Sequence, residues 1–180
     1  AKRAGDANLL HKLGDRLGFV VKEVPPVLMN TQRISSTRIR TALASGDLDD
    51  VKQLLGRAYS LEGRVNFGKQ LGRTLGFPTA NILLHRKKLP LSGVFVVTIE
   101  GLGHSQQGVA NIGIRPTING KQPLLEVHLF EFKGDLYGKR LRIHFHHQIR
   151  SEKRFDSLSA LKDAIANDCE QAKAYFQLNH

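Results

Sequence analysis

The chain has 180 residues, 41% of them hydrophobic, and 27 Lys and Arg against 16 Asp and Glu give a net charge of +11. That length suits about one domain of ~150 residues plus a fragment, and the apolar share is enough for a packed core. No apolar run approaches the roughly 18 residues of a spanning helix, the opening AKRAGDANLL has no apolar signal core, and the lone Cys169 excludes an internal disulfide.

A cytoplasmic setting without a membrane partner is therefore the expectation. The basic excess fits either a nucleic-acid partner or an anionic small ligand. Basic residues come in short clusters such as Arg86-Lys87-Lys88 and Lys139-Arg140, between apolar strand residues. With no long basic tail or stripe, dedicated nucleic-acid binding is disfavoured. The chain does not open on methionine and reads as a processed or shortened product.

The first segment reads as helical. Leu9, Leu10, Leu13 and Leu17 recur at helical spacing and Gly18 can end the turn. After the extended KEVPPVLMN comes RISSTRIRTALASGD, where Ser35 or Ser36 can cap a helix and Gly46 can terminate it. A short helix follows in LDDVKQLLG, with Asp49 and Asp50 in its first turn and Gly56 at its end. Residues 1–57 do not supply a large two-sided core and look like the end of a larger domain.

From Tyr59 the apolar period changes from 3.6 to 2. GVFVVTIE (93–100), QGVANIG (107–113), LLEVHLFEF (124–132) and RLRIHFHH (140–147) all read as strands. No helix-length segment separates them, which implies antiparallel pairing, and closing a barrel would remove the exposed edges. A final helix carries Leu158, Leu161, Ile165, Cys169, Ala172 and Phe176 at steps of three or four, with Asp156 or Ser157 as its cap. Cys169 lies in that stripe and reads as a core residue.

The segment GRVNFGKQLGRTLGFPTANI (63–82) opens like a phosphate loop, with Gly63, four residues, then Gly68-Lys69. Gln70 stands where such a loop needs a hydroxyl for magnesium, and Gly72, Gly76 and Pro78 prevent a long helix. Glycine amides can still converge on phosphate oxygens, with Lys69 and Arg73 neutralising charge. Thr79 and Asn81, two residues apart on one face of an extended segment, offer hard oxygen ligands to one ion. Equally open on the residues alone is that the glycines shape loops and Thr79 and Asn81 are ordinary strand-edge residues.

Leu125, Val127 and Leu129 form a core side of their strand, and the other face carries Glu126 and His128 among apolar neighbours. A carboxylate there could accept a proton from a substrate hydroxyl, but the spacing alone favours a face that is simply wet. His144, His146 and His147 have no nearby Cys and only two share a strand face, so surface histidines are favoured over a metal cluster. The Ser35-Ser36-Thr37 start, with Arg38 and Arg40, could bind an anion at a helix N-terminus; by itself it is an ordinary cap.

Four stretches in order, GRVNFGKQLGRTLGFPTAN, GVANIGIRPT (108–117), LEVHLFEFKGDLYG (125–138) and IRSEKRFDSLSALKDAI (149–165), together resemble the riboflavin kinase family. The likeness runs from about Tyr59 to Phe176. AKRAGD and RISSTRIRTAL resemble the last part of the FMN adenylyltransferase module that precedes this kinase in a bacterial bifunctional enzyme of FAD synthesis. The resemblance implies a mainly β fold: a six-stranded Greek-key antiparallel barrel with a C-terminal helix over 58–180, preceded over 1–57 by a mostly helical remnant of an α/β nucleotidyltransferase domain. It implies transfer of the γ-phosphate of ATP to riboflavin with a divalent ion such as Mg2+, giving FMN and ADP, and no obligate protein partner.

Carried over by the resemblance, Thr79 and Asn81 ligate the metal, and Gly63, Gly68, Lys69 and Gly72 lie around the nucleotide. Glu126 is the catalytic base. Asn111, Arg115, Thr117, Arg150 and Phe155 lie on the flavin side. The adenylyltransferase needs an HxGH motif that does not occur here, so this chain is not expected to make FAD, although the full-length parent would.

Overall fold

The computed structural model describes residues 6–68, 71–84, 86, 88–117 and 120–179. They fall into two compact units, Ala1–Ile34 and Ser35–His180.

In the first unit, helix α1 (Ala7–Leu17) starts where the Asp6 carboxylate accepts the Leu9 N–H at 2.8 Å and stops at Gly18, whose left-handed φ of 76° lets its N–H reach the Gly14 carbonyl. A two-residue turn at Asn30 and Thr31, both at positive φ, then joins β1 (Leu28–Met29) to β2 (Gln32–Arg33), a hairpin not anticipated from the sequence. Leu9, Leu10 and Leu17 of α1 remain exposed, Leu17 by 64%, Leu13 is half-buried, and Gly14 is the helix's only buried residue.

In the second unit, Ser35 caps α2 (Ser36–Ser45) by accepting the Arg38 N–H, and α3 (Leu48–Leu55) follows after the left-handed Gly46. Ala42, Leu43, Leu48 and Val51 join the same apolar core as the strands behind them. The compact unit begins at Ser35, and these two helices share its apolar core with the strands.

Six strands form a closed antiparallel barrel: β3 (Tyr59–Asn66), β4 (Ala80–Leu83), β5 (Gly93–Glu100), β6 (Gln106–Thr117), β7 (Gly120–Leu129) and β8 (Arg140–Arg150). The order around the barrel is β3-β4-β7-β6-β5-β8. Strands β5, β6 and β7 meander, and β4 lies beside β7 rather than beside β5, which is the Greek-key arrangement. Leu61, Phe95, Ile112, Leu125, Val127, Ile143 and Phe145 fill the interior, each no more than 2% exposed. A four-residue helix, α4 (Leu71–Thr74), lies between β3 and β4.

Helix α5 (Leu158–Leu178) is capped by Ser157, which accepts the Ala160 N–H at 3.1 Å. Its Cys169, Ala172 and Phe176 pack on outward residues of the barrel, Val94, Val96 and Val109. That cover explains why GVFVVTIE is apolar at nearly every position: β5 is buried on both faces. Burial pushes the Cys169 thiol up to about 11, so it is a packed, unreactive group.

Candidate active site

The period-2 alternation of the barrel strands decides which side chains meet on its outside. Ala80 and Ile82 of β4, Leu125 and Val127 of β7, and Ala110 and Ile112 of β6 all turn into the core. Asn81, Glu126 and Asn111 between them therefore face outward. Register then aligns them: Asn81 pairs with Glu126, and Glu126 pairs with Asn111. Directly opposed residues hold their Cβ atoms about 4.5–5.5 Å apart. One carboxylate thus stands between two carboxamides on three adjacent strands, and Asn66 of β3, opposite Asn81, extends the row.

The glycine-rich segment lies against this row. A Cβ on Gly68 would fall 2.1 Å from Asn81 Nδ2, and one on Gly72 would fall 2.4 Å from the Phe77 carbonyl and 3.2 Å from Thr79 Oγ1. Only glycine permits backbone so close to both oxygen-bearing side chains. Gly63 serves differently. It faces the barrel interior in β3, where a Cβ would meet the Leu83 carbonyl at 2.4 Å, so it is not brought to the Thr79–Asn81 cluster. Lys69 and the side chains of Arg115 and Thr117 lie outside the described residues.

Thr79 also lines a cavity of about 570 Å3 at the end of the barrel, walled further by Val65, Arg73, Leu129, Phe132 and Tyr137. A space of this size with a mainly apolar wall and few polar groups suits a small organic ligand. Arg73 brings a positive charge to it and Asp135 a negative one. The Tyr137 ring stacks on Phe67 at 4.0 Å, and Phe67 is 71% exposed.

Thr79 and Asn81 fit a magnesium-type ion. Their hydroxyl and carboxamide oxygens are the hard donors such an ion takes, and a carboxylate stands beside them.

Arg150 continues the same row. Asn111 pairs with Val94, and Val94 with Arg150, two strand spacings or roughly 10 Å from Asn111. The Arg150 guanidinium grips Asp168 of α5 in a fork, with Nε to Oδ1 at 2.9 Å and Nη2 to Oδ2 at 2.8 Å. It also sits 5.5 Å from the Phe155 ring centroid. Asp168 is only 2% exposed. Sequence reasoning passed over this residue, though 165, 168 and 172 fall at three and four along the buried stripe of α5. The segment after β8 also crosses β6, since a Cβ on Gly113 would fall 2.2 Å from Glu152 Oε1.

His128 was noted only as a neighbour of Glu126 on its face. In the structure its Nδ1 hydrogen-bonds the Pro78 carbonyl at 2.8 Å, next to Thr79. Of the three strand histidines only His147 is exposed, stacking on Tyr175; contrary to the surface reading, His144 and His146 are half-buried, and His146 meets Thr98 at 2.8 Å and lies against Phe176 of α5.

The Flavokinase family, described as riboflavin kinase, matches residues 55–176. The chain is 48% identical over 177 residues to a bifunctional riboflavin kinase/FMN adenylyltransferase of Haemophilus influenzae, covering 98% of this chain and 58% of that protein. It is 47% identical over 173 residues to the protein of the same description from Pseudomonas fluorescens, covering 96% and 56%. The chain thus spans a little over half the length of these curated relatives. Among solved structures, one presented as a macrolide-efflux protein from Streptococcus pneumoniae matches with a TM-score of 0.72 at 34% identity, over 88% of this chain and 52% of that one. Among the described residues of the present chain, no helix is long and apolar enough to cross a membrane. The family match over the whole barrel and most of α5 makes the conclusion plain: this chain belongs to the riboflavin kinase family.

Proposed function

We propose that the chain transfers the γ-phosphoryl group of ATP to the ribityl 5′-hydroxyl of riboflavin, yielding FMN and ADP. The observation that carries this reading is the register that sets Glu126 between Asn81 and Asn111 on one outer face. The family match and the names of the relatives support it.

In this reading the cavity beside Thr79 takes the nucleotide, and Gly68, Gly72, Lys69 and Arg73 hold its phosphates. Thr79 and Asn81 hold a magnesium ion, which when bound supplies charge neutralisation to the triphosphate. Glu126 orients the ribityl hydroxyl and accepts its proton as the new O–P bond forms and the bond from the γ-phosphorus to the β–γ bridging oxygen breaks. Phosphoryl transfer asks mainly for this kind of positioning and charge compensation. A positioned base adds about 10²–10⁴ in rate. Asn111, Arg115, Thr117, Arg150 and Phe155 form the flavin side.

The division at 57/58 belongs to the same reading: residues 58–180 are the kinase, and 1–57 are the end of an adenylyltransferase module, in keeping with a family match that begins at residue 55. The full-length protein then also adenylylates FMN, in the cytoplasm, while this chain alone does not. Incubation with riboflavin, ATP and magnesium, followed by chromatography, tests the proposal. FMN formation supports it and its absence rejects it; FAD formed from FMN and ATP by this chain would reject the division of labour.

A further inference from the structure

The β4–β7 ladder ends at the pair Ala80 and Val127. It cannot simply continue to Pro78, because proline has no N–H to donate. The Pro78 carbonyl is instead taken by a side chain of the facing strand: His128 Nδ1 lies 2.8 Å from it. A carbonyl only accepts, so Nδ1 carries the hydrogen. The ring is fixed on two sides, edge-on to Phe77 at 5.7 Å and to Phe130 at 5.9 Å.

The location matters more than the bond. His128 is two residues from Glu126 on the same outward face of β7, and Pro78 immediately precedes Thr79. One hydrogen bond therefore ties the turn carrying Thr79 and Asn81 to the strand carrying the carboxylate, at the point where backbone pairing stops.

We propose that His128 is a positioning residue that holds the Pro78–Asn81 turn in register with Glu126, and so sets the nucleotide and metal side of the site while leaving the flavin side alone. This rests on the kinase reading given above. The backbone before Thr79 has no ladder bond to β7, so without the His128 donor the turn can shift outward. A change of a few tenths of an ångström there moves the Thr79 hydroxyl relative to Asn81, whose place is fixed by its own pairing with Glu126.

Three variants test this. His128→Phe and His128→Leu keep an apolar side chain between Phe77 and Phe130 but remove the donor; either suffices if the other does not fold. His128→Gln keeps an N–H donor of similar reach. Loss of one such bond corresponds to about a five- to tenfold effect. The expected result is a rise of that size in the KM for MgATP and in the magnesium concentration for half-maximal rate, with the KM for riboflavin unchanged and the Gln variant within about twofold of wild type. Independently of activity, hydrogen exchange of the Thr79 and Ala80 amides should quicken in the donor-free variant and recover in His128→Gln, without added metal or nucleotide.

Wild-type exchange together with a wild-type KM for MgATP in the donor-free variant overturns the proposal. So does an equal loss toward riboflavin and ATP, which marks general destabilisation, or a Gln variant as impaired as the Phe variant. If the wild-type chain makes no FMN, the kinase reading falls, and the exchange measurement still decides whether His128 holds the turn.

Discussion

The barrel has two outer faces of opposite character. Across β5 and its neighbours the outward residues Val94, Val96 and Val109 are apolar and lie under α5. Across β4, β7 and β6 the outward residues on one row are Asn81, Glu126 and Asn111, each only partly buried. One row of register runs through both, since Asn111 pairs with Val94 and Val94 with Arg150. The interior of the barrel is apolar all the way round, so the contrast lies only outside. In the proposed reading, chemistry sits where the outer face is left without a helix, and stability is gained where the helix covers it.

That contrast makes opposite demands on substitution. On the open face, Glu126→Gln should lower kcat by about 10²–10⁴, the usual worth of a positioned base, while the thermal midpoint and the KM for riboflavin stay near wild type. Unchanged turnover would remove Glu126 as the base. On the covered face, Asp168→Ala should cost about 3–5 kcal/mol in denaturant unfolding, because it strands the part-buried Arg150 guanidinium without its carboxylate. A loss below about 1 kcal/mol would mean that the pair behaves like a surface salt bridge.

Gly68→Ala tests the cradle between these extremes. Its Cβ would overlap the Asn81 carboxamide, so the KM for MgATP should rise about tenfold or more with little change in unfolding midpoint, an effect of ~1.4 kcal/mol. A stability loss with unchanged ATP use would show the contact to be packing alone.

The smallest effect concerns pH. Burial, with lesser contributions from His144 and Lys52, holds His146 below its ordinary value of 6.5. The unfolded chain then takes up a proton that the folded chain refuses. Stability is therefore highest above about 6.5 and falls as pH drops below it, levelling off once the folded value is passed. Thermal unfolding between pH 7.5 and 5 should show this slope flattened in His146→Gln; an identical slope would assign the acid loss to other groups.

The sequence made the covered face easier to read than the open one. Period-2 runs placed β5 correctly and found most of β6, β7 and β8, and the cap rules narrowed two helix starts to Ser35 or Ser36 and to Asp156 or Ser157, of which Ser35 and Ser157 cap, because both signals are local. The four residues of β4 are too few for a period to define a strand, although the stretch around Thr79 and Asn81 already read as extended. β6 and β8 run further than expected, to Thr117 and Arg150. β7 ends at Leu129 because Glu131 turns with a positive φ of 55°. Thr79 and Asn81 were readable as a pair from alternation. Their meeting with Glu126, 45 positions on from Asn81, was not, since register between β4 and β7 is set by the closed barrel and not by any local residue. Asp168 and His128 were hidden for the same reason: each is defined by a partner on another element.

The central claim is that Asn81 and Glu126 act in one site, and a double-mutant cycle on kcat/KM for MgATP tests it most directly. If they form one unit, Asn81→Ala combined with Glu126→Gln should cost little more than the worse single change, as residues acting together are strongly non-additive. Losses that multiply independently, within about 0.5 kcal/mol of additivity, would contradict a shared site.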